Sequence, residues 1–212
     1  ATWSIDLSHP ERGAFGIEAR YLIDATGRKA SVCRQLGVPS RRHDALMGLG
    51  CFFRLSGEHK AHHEQLIEAT EDGWWYTARL PGDRLTATFF TDADIVAERR
   101  LNKLESWLDQ LRQSRHVIDK LGGVDKLGGA NELLSDKPWA RDACSQITDA
   151  TQVSHMLAVG DAATAFDPIS AMGIGSAISS ACHGARLVHA QLAGHSGDAT
   201  DQFQRGLEEN FA

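Results

Sequence analysis

Residues 156–178 read Met156-Leu-Ala-Val-Gly160-Asp161-Ala-Ala-Thr-Ala-Phe-Asp-Pro168-Ile-Ser-Ala-Met-Gly173-Ile-Gly175-Ser-Ala-Ile178, and no other segment constrains this chain as much. The apolar run up to Val159 is a short buried strand that closes at Gly160-Asp161. A loop with a single proline follows, and a helix of small residues begins near Gly173. A helix start leaves backbone N–H groups unpaired and aimed outward, with a partial positive charge. That end suits an electron-rich or anionic ligand group, and the glycines let a planar ring approach the backbone. Asp161 stands at the strand end, where a carboxylate accepts hydrogen bonds from ligand hydroxyls. A plain strand–turn–helix crossover with Asp161 as a helix-side cap has the same pattern, because Gly-rich turns are common.

A second stretch, Asp24-Ala-Thr-Gly27-Arg28, closes another apolar run. Before it, Trp3, Ile5 and Leu7 alternate, residues 9–16 make a loop, and Gly16–Ala25 is apolar again, which predicts a hairpin ending at Gly27. Ala30–Leu36 reads as a short helix closed by Gly37 and Pro39. The middle is β-rich, with runs at Leu46–Leu55, Gln65–Ala69, Gly73–Leu80 and Arg84–Thr91. Pro81-Gly82-Asp83 is a turn signal that pairs Trp74–Leu80 with Leu85–Phe90. Helices follow: Glu98–Ser114 carries Leu101, Leu104, Trp107, Leu108 and Leu111 on one face. Val117–Leu121 continues it or starts a second helix, and Gly122-Gly123 and Gly128-Gly129 bracket a loose region. Gly173–Leu192 is a long helix and Ala199–Phe211 a polar final one. Strands, then helices, then a strand–loop–helix unit give an α/β (α+β) chain, a mixed sheet domain joined to part of a second unit.

Composition narrows the function classes. The chain has 212 residues, enough for one large or two small domains. Its apolar content of 42% and charged content of 24% exclude disorder, collagen and coiled coil as whole-chain readings. With 22 basic against 28 acidic residues and no basic run, neither nucleic acid nor an anionic membrane is the expected partner. Apolar runs fall short of the roughly 18 residues of a membrane helix, and no secretory signal is visible. Cys33, Cys51, Cys144 and Cys182 form no C-x-x-C pair and read as reduced, mostly buried thiols of a cytoplasmic protein. His59, His62 and His63 read as a solvated loop, so no metal is expected. Ser170 and Ser176 lack a His–Asp partnership that would indicate a hydrolase, Asp92 is a helix cap or a functional acid, and no general base stands out.

Taken together, Asp24–Arg28 and Gly160–Ile174 resemble two motifs of the FAD-dependent monooxygenases of the p-hydroxybenzoate hydroxylase type, a group that includes the flavin-dependent halogenases. In that family a strand ends in D-A-T/D-G, and a G-D-A…P…G motif contacts FAD much later in the chain. The stretch Leu66–Tyr76, then Leu80-Pro81-Gly82 and Phe89–Asp94, looks like one branch, often grouped with tryptophan halogenases. That branch includes hydroxylases that modify a peptidyl tryptophan while a partner enzyme builds its quinone cofactor. The resemblance spans nearly the whole chain. It implies an FAD-binding fold of this type over residues 1–40 and 151–212, with a mixed or antiparallel β-sheet substrate domain over residues 41–150. The family opens with a strand, G-x-G-x-x-G and a helix that hold the FAD pyrophosphate. This chain has no such motif, so the resemblance implies that an N-terminal segment is missing.

The resemblance also implies roles. Asp161 would bind the ribityl hydroxyls of FAD, Gly160 and Ala162 would let the cofactor pass, and Pro168 and Met172 would lie by the isoalloxazine. The amides of Gly173 and Ile174 would face its N1–O2 edge, and Asp24 and Gly27 would support the adenosine half. Ala171 stands where the family often has Gly. Trp74, Trp75, Tyr76 and Phe89 would line or back the substrate pocket, although core packing explains each of them equally simply. Tryptophan halogenases carry W-x-W-x-I-P where this chain reads Trp74-Trp75-Tyr76-Thr77-Ala78-Arg79. The departures at Tyr76, Ala78 and Arg79 favour hydroxylation. The implied function is therefore hydroxylation of an aromatic substrate, an indole or tryptophan among them, through a flavin C4a-hydroperoxide. Molecular oxygen and either NAD(P)H or a flavin reductase would take part, and the substrate would be a small molecule or a peptidyl tryptophan of a partner protein. A halogenase, and a non-catalytic assistant in the maturation of a partner enzyme, are the alternatives.

Overall fold

The computed structural model describes residues 2–55, 65–122, 132–195 and 199–211. The His59, His62, His63 cluster and Gly128-Gly129 lie outside the described residues. Two compact units are present: Ala1–His43 with Cys144–Ala212, and Asp44–Ala143.

The first unit opens with an antiparallel ribbon, β1 (Trp3–His9) and β2 (Gly13–Ala19), with Trp3 opposite Ala19 and His9 opposite Gly13. The predicted second strand is thus split: it breaks at Arg20-Tyr21 and resumes as β3 (Leu22–Asp24), which has a different partner. The hairpin turn is also tighter than the predicted loop, because Gly13 takes a left-handed φ of +71° and resumes pairing three residues early. A short turn at Gly27–Lys29, helix α1 (Ser31–Gln35) and strand β4 (Ser40–Arg42) complete this first arm.

The second unit is one antiparallel sheet with helices on one face. Its strands are β5 (Leu46–Arg54), β6 (Leu66–Thr70), β7 (Gly73–Leu80) and β8 (Arg84–Asp92). Helices α2 (Ala93–Glu98), α3 (Leu104–Arg112) and α4 (His116–Lys120) follow, then β9 (Glu132–Leu133) and β10 (Trp139–Asp142). The strand order is β10-β5-β8-β7-β6, with β9 also on β5. Period-two alternation sends Leu49, Cys51, Phe53, Trp75, Leu85, Ala87 and Phe89 to one face. There they pack with Trp107, Leu111 and Val117 of the helices into a dry core. The Trp107 indole N–H donates to the Leu49 carbonyl at 3.1 Å and so keeps its one polar group satisfied. The predicted helix over 98–114 is shorter, because Arg100 adopts a left-handed φ of +54° and ends α2 before α3 begins. Glu68 accepts from the amides of Arg115, His116 and Val117, which fixes where α4 starts.

The chain then returns to the first unit. β11 (Gln146–Thr148) pairs antiparallel with β4 and with β13 (Thr164–Ala165), and between them β12 (Met156–Ala158) lies parallel to β3. With β11 paired to β4, this unit resumes at Cys144. Helices α5 (Gly173–Leu192) and α6 (Ala199–Phe211) end the chain. Its core holds Ala30, Cys33, Val38, Met156, Ala158, Ala162 and Leu207. Among the described residues no helix is long and apolar enough to cross a membrane.

Candidate functional site

The two sequence motifs meet at the same end of two adjacent parallel strands. Ala158 lies opposite Asp24, and the Val159 amide donates to the Asp24 carbonyl at 3.0 Å. The turns after both strands therefore emerge together, at the carboxyl ends where open α/β sheets bind ligands.

The turn after β12 is tightly tied to α5. Gly160 takes a left-handed φ of +58°, and a Cβ there would lie 3.4 Å from that of Ala177. Its amide donates to Ser180 Oγ at 2.9 Å, and that hydroxyl donates to the Ala177 carbonyl at 3.2 Å. One turn further on, Gly184 lets the helix close on β12: a Cβ there would sit 3.2 Å from Leu157 and Val159. Ala162 is fully buried below this turn. Asp161 is half-buried, and its carboxylate stands 3.6 Å from the Arg28 guanidinium. The other guanidinium nitrogens donate to the carbonyls of Cys144 and Phe166, each at 2.6 Å.

Asp24 is buried, and its carboxylate is wholly engaged within its own turn. It accepts from the Thr26 amide (2.9 Å), the Thr26 hydroxyl (2.6 Å) and the Cys33 amide (2.8 Å). Burial alone would raise this carboxyl, but the hydrogen bonds from Thr26 and Cys33 outweigh it and hold the group below the usual carboxylate range. The same burial, with Asp24 beside it, pushes the Cys33 thiol up to about 12, and burial does the same to Cys51. Both are unreactive thiols. Gly27 turns the chain with φ +72° and has nothing within 4 Å of where a Cβ would be.

Beyond Asp161, the Pro168–Ser170 turn is capped by Asp167, whose carboxylate accepts from the Ile169 amide at 2.9 Å. Ala171 then takes a left-handed φ of +54°, a conformation suited to glycine. Helix α5 begins at Gly173 with no acidic residue in its first turn. A Cβ at Gly173 or Gly175 would meet nothing within 4 Å, and the first N–H groups of a helix have no partner within it. The surrounding side chains are apolar and exposed: Ile169, Met172, Ile174 and Ile178, with Ile174 80% exposed. This is an exposed apolar ledge at the positive end of a helix, an environment that favours an apolar group carrying negative charge.

The four aromatic residues expected around a substrate pocket are split by strand alternation. Trp75 and Phe89 are fully buried in the core of the second unit, their rings 4.9 Å apart, and they line no open surface. Trp74 and Tyr76 point to the opposite face of the sheet, where Trp74 stacks on Phe90 at 4.1 Å. That face also carries Phe52 and Trp139, which sequence reasoning missed. Gly48 and Gly50 make room for them: a Cβ at Gly50 would lie 2.3 Å from the Trp139 ring, and one at Gly48 2.8 Å from Phe90. Two glycines spaced two apart in a strand are the available signal for such close approach. Arg28, quoted within a motif but given no role, is the other residue the structure adds. Among the described residues no group of His, Cys, Asp and Glu is placed to hold a metal.

No family model matches the sequence. The protein named FAD-dependent oxidoreductase LodB, from Marinomonas mediterranea, is 37% identical over 207 residues, which are 98% of this chain and 53% of that protein. Among solved structures, the flavin-dependent halogenase CmlS superposes with a TM-score of 0.76 at 21% identity, over 93% of this chain and 36% of that one. Aklavinone-11 hydroxylase, solved with FAD and aklavinone, gives 0.70 at 18% identity over 93% of this chain and 36% of its own. A flavoprotein/dehydrogenase from Cytophaga hutchinsonii gives 0.78 at 15% identity, over 97% and 50%. These superpositions give the chain the fold of flavin-dependent halogenases and hydroxylases. The chain spans about half the length of the curated relative that it matches. The mixed α/β content, antiparallel sheets together with the parallel β3–β12 pair, is the fold of those solved structures.

Proposed function

We propose that this chain is part of an FAD-dependent monooxygenase that hydroxylates an aromatic ring, an indole among the candidates. The observation that carries this reading is the start of α5, where unpaired amides and side-chain-free glycines open onto an exposed apolar ledge. Bound FAD supplies the oxygen-activating redox chemistry. The protein's own residues do the rest. The amides of Gly173 and Ile174 stabilise negative charge on the pyrimidine edge of the ring. Pro168 and Met172 flank the ring, and Asp161, oriented by Arg28, accepts from the ribityl hydroxyls. Gly160 and Ala162 keep the passage along the strand end free of side chains. Asp24 and Gly27 act at one remove, holding the neighbouring turn. The aromatic face of the second unit, with Trp74, Tyr76, Phe90 and Trp139, offers ring surfaces on which an aromatic substrate stacks.

The chain carries no G-x-G-x-x-G that would hold the diphosphate of FAD. Oxygen is the co-substrate, and NAD(P)H or a flavin reductase is the electron source. The buried free thiols Cys33, Cys51 and Cys144 suit a reducing, cytoplasmic setting. Halogenation is the second reading, favoured by the superposition on CmlS and by Trp74 at the head of the strand that carries the halogenase motif. The departures at Tyr76, Ala78 and Arg79 weigh against it.

The test uses the full-length protein. Purified as a holoenzyme, it should show flavin absorbance bands, and Asp161→Ala should weaken FAD binding by about tenfold or more. A colourless protein that takes up no FAD would leave only the non-catalytic assistant role. Mass spectrometry of an indole substrate then separates an added oxygen atom from a halogen that replaces hydrogen.

A further inference from the structure

We propose that Ser180 is a positioning residue for the flavin: its buried hydroxyl holds the start of α5 at one place along the Asp161 turn and so favours the reduced cofactor. The inference rests on the functional reading above. It names the side chain that keeps the two halves of that site in step.

Asp161 and the amides of Gly173 and Ile174 belong to different elements, the turn after β12 and the start of α5. The end of the loop that joins them, residues 168–172, is exposed and does not clamp their spacing. Packing between turn and helix runs through small groups, Gly160 on Ala177 and Gly184 beneath Leu157 and Val159. Apolar contact is non-directional. It sets how near the helix lies to the strand, and it sets position along the helix axis only weakly.

Ser180 supplies the direction. Its Oγ accepts from the Gly160 amide at 2.9 Å and donates to the Ala177 carbonyl at 3.2 Å. Among the described residues this is the only hydrogen bond between residues 159–163 and α5. Ser180 and Gly160 are both buried, so loss of the hydroxyl leaves the amide unpaired. Gly173 lies seven residues before Ser180 on the same helix face, two turns or about 10 Å away. A helix is stiff over that length, so a shift at Ser180 reaches the first amides. Their partial positive charge falls off within a turn, and a displacement of about 1 Å is felt there. The reduced ring carries the negative charge that these amides stabilise, and the oxidised ring does not. Loss of the Ser180 hydroxyl therefore weakens the reduced state more than the oxidised one.

The full-length holoenzyme is compared with Ser180→Ala, Ser180→Cys and Leu207→Ala by FAD titration, midpoint potential and melting temperature. Ser180→Ala weakens reduced FAD about tenfold more than oxidised FAD, which lowers the two-electron midpoint potential by about 30 mV. Ser180→Cys, similar in shape with only a weak acceptor, shifts it in the same direction by less, and decides the matter if the alanine variant does not fold. Leu207→Ala opens the core of the same unit far from this hydrogen bond. It lowers the melting temperature and leaves the potential where it was. A wild-type potential in both Ser180 variants overturns the inference, as does an equal shift in Leu207→Ala. A full-length protein that takes up no FAD overturns the functional reading itself, and this inference falls with it.

Discussion

Arg28 stands 3.6 Å from Asp161 and with the same guanidinium holds the carbonyls of Cys144 and Phe166. One side chain from the turn after β3 thus fixes three points of the returning arm, among them the carboxylate assigned to the ribityl chain. Only a planar, multiply donating group does this. Arg28→Met keeps an unbranched apolar stem and removes every donor. It should destabilise the protein by about 1–3 kcal/mol in urea unfolding, and it should weaken FAD binding even though Asp161 is intact. Unchanged flavin affinity in this variant would separate Arg28 from the site.

Asp24 predicts an acid limb. Its folded-state pKa lies below the unfolded value, so its contribution is fully present above the unfolded pKa of about 4 and is lost as pH falls through the folded one. Thermal melts from neutral pH down to about pH 3 should show stability falling in that window. Asp24→Asn should remove much of the slope. It should also lower stability at neutral pH by about 2 kcal/mol, since an amide N–H would then meet either the Cys33 or the Thr26 donor.

Ala171 holds a backbone conformation that costs an alanine about 1 kcal/mol. Ala171→Gly relieves that strain and gives part of it back as unfolded-chain entropy, for a net gain of about 0.5 kcal/mol. Ala171→Val, branched at the wrong carbon, should lose more than about 1 kcal/mol. Paired urea titrations of the two variants check the sign of each change.

Gly50 has no room for a methyl group, since a Cβ would lie 2.3 Å from the Trp139 ring and 2.9 Å from Thr88 Oγ1. Gly50→Ala should cost about 1–3 kcal/mol, because the indole must lift off the sheet. A shift in tryptophan emission that is absent in a Trp139→Phe, Gly50→Ala double variant would assign the movement to that ring.

Local chemistry made much of this chain legible before any coordinates. The strand-closing Gly160-Asp161, the proline loop and the small-residue helix lie close together in sequence, and each follows from backbone rules. The β7–β8 hairpin was readable for the same reason, from Pro81-Gly82-Asp83. The split of β2 from β3 was not readable. Gly16–Ala25 looks like one strand, and only its separate partners, β1 close by in the chain and β12 far along it, divide it. Trp74 and Trp75 show the same limit. Alternation guarantees that the two rings take opposite faces, but which face is the core depends on where Trp107 and Leu111 pack.

The amino-acid order by itself determined the strand–turn–helix at 156–178 and the mixed class, because these rest on neighbours a few residues apart. Tertiary structure alone decided that Asp24 turns inward to Thr26 and Cys33 while Asp161 meets Arg28. It also decided that Phe90 and Trp139 share a face with Trp74, and that the face of Trp75 and Phe89 is the core. Those outcomes depend on contacts between segments far apart in the chain, whose pairing is set by the burial of whole surfaces rather than by any local preference.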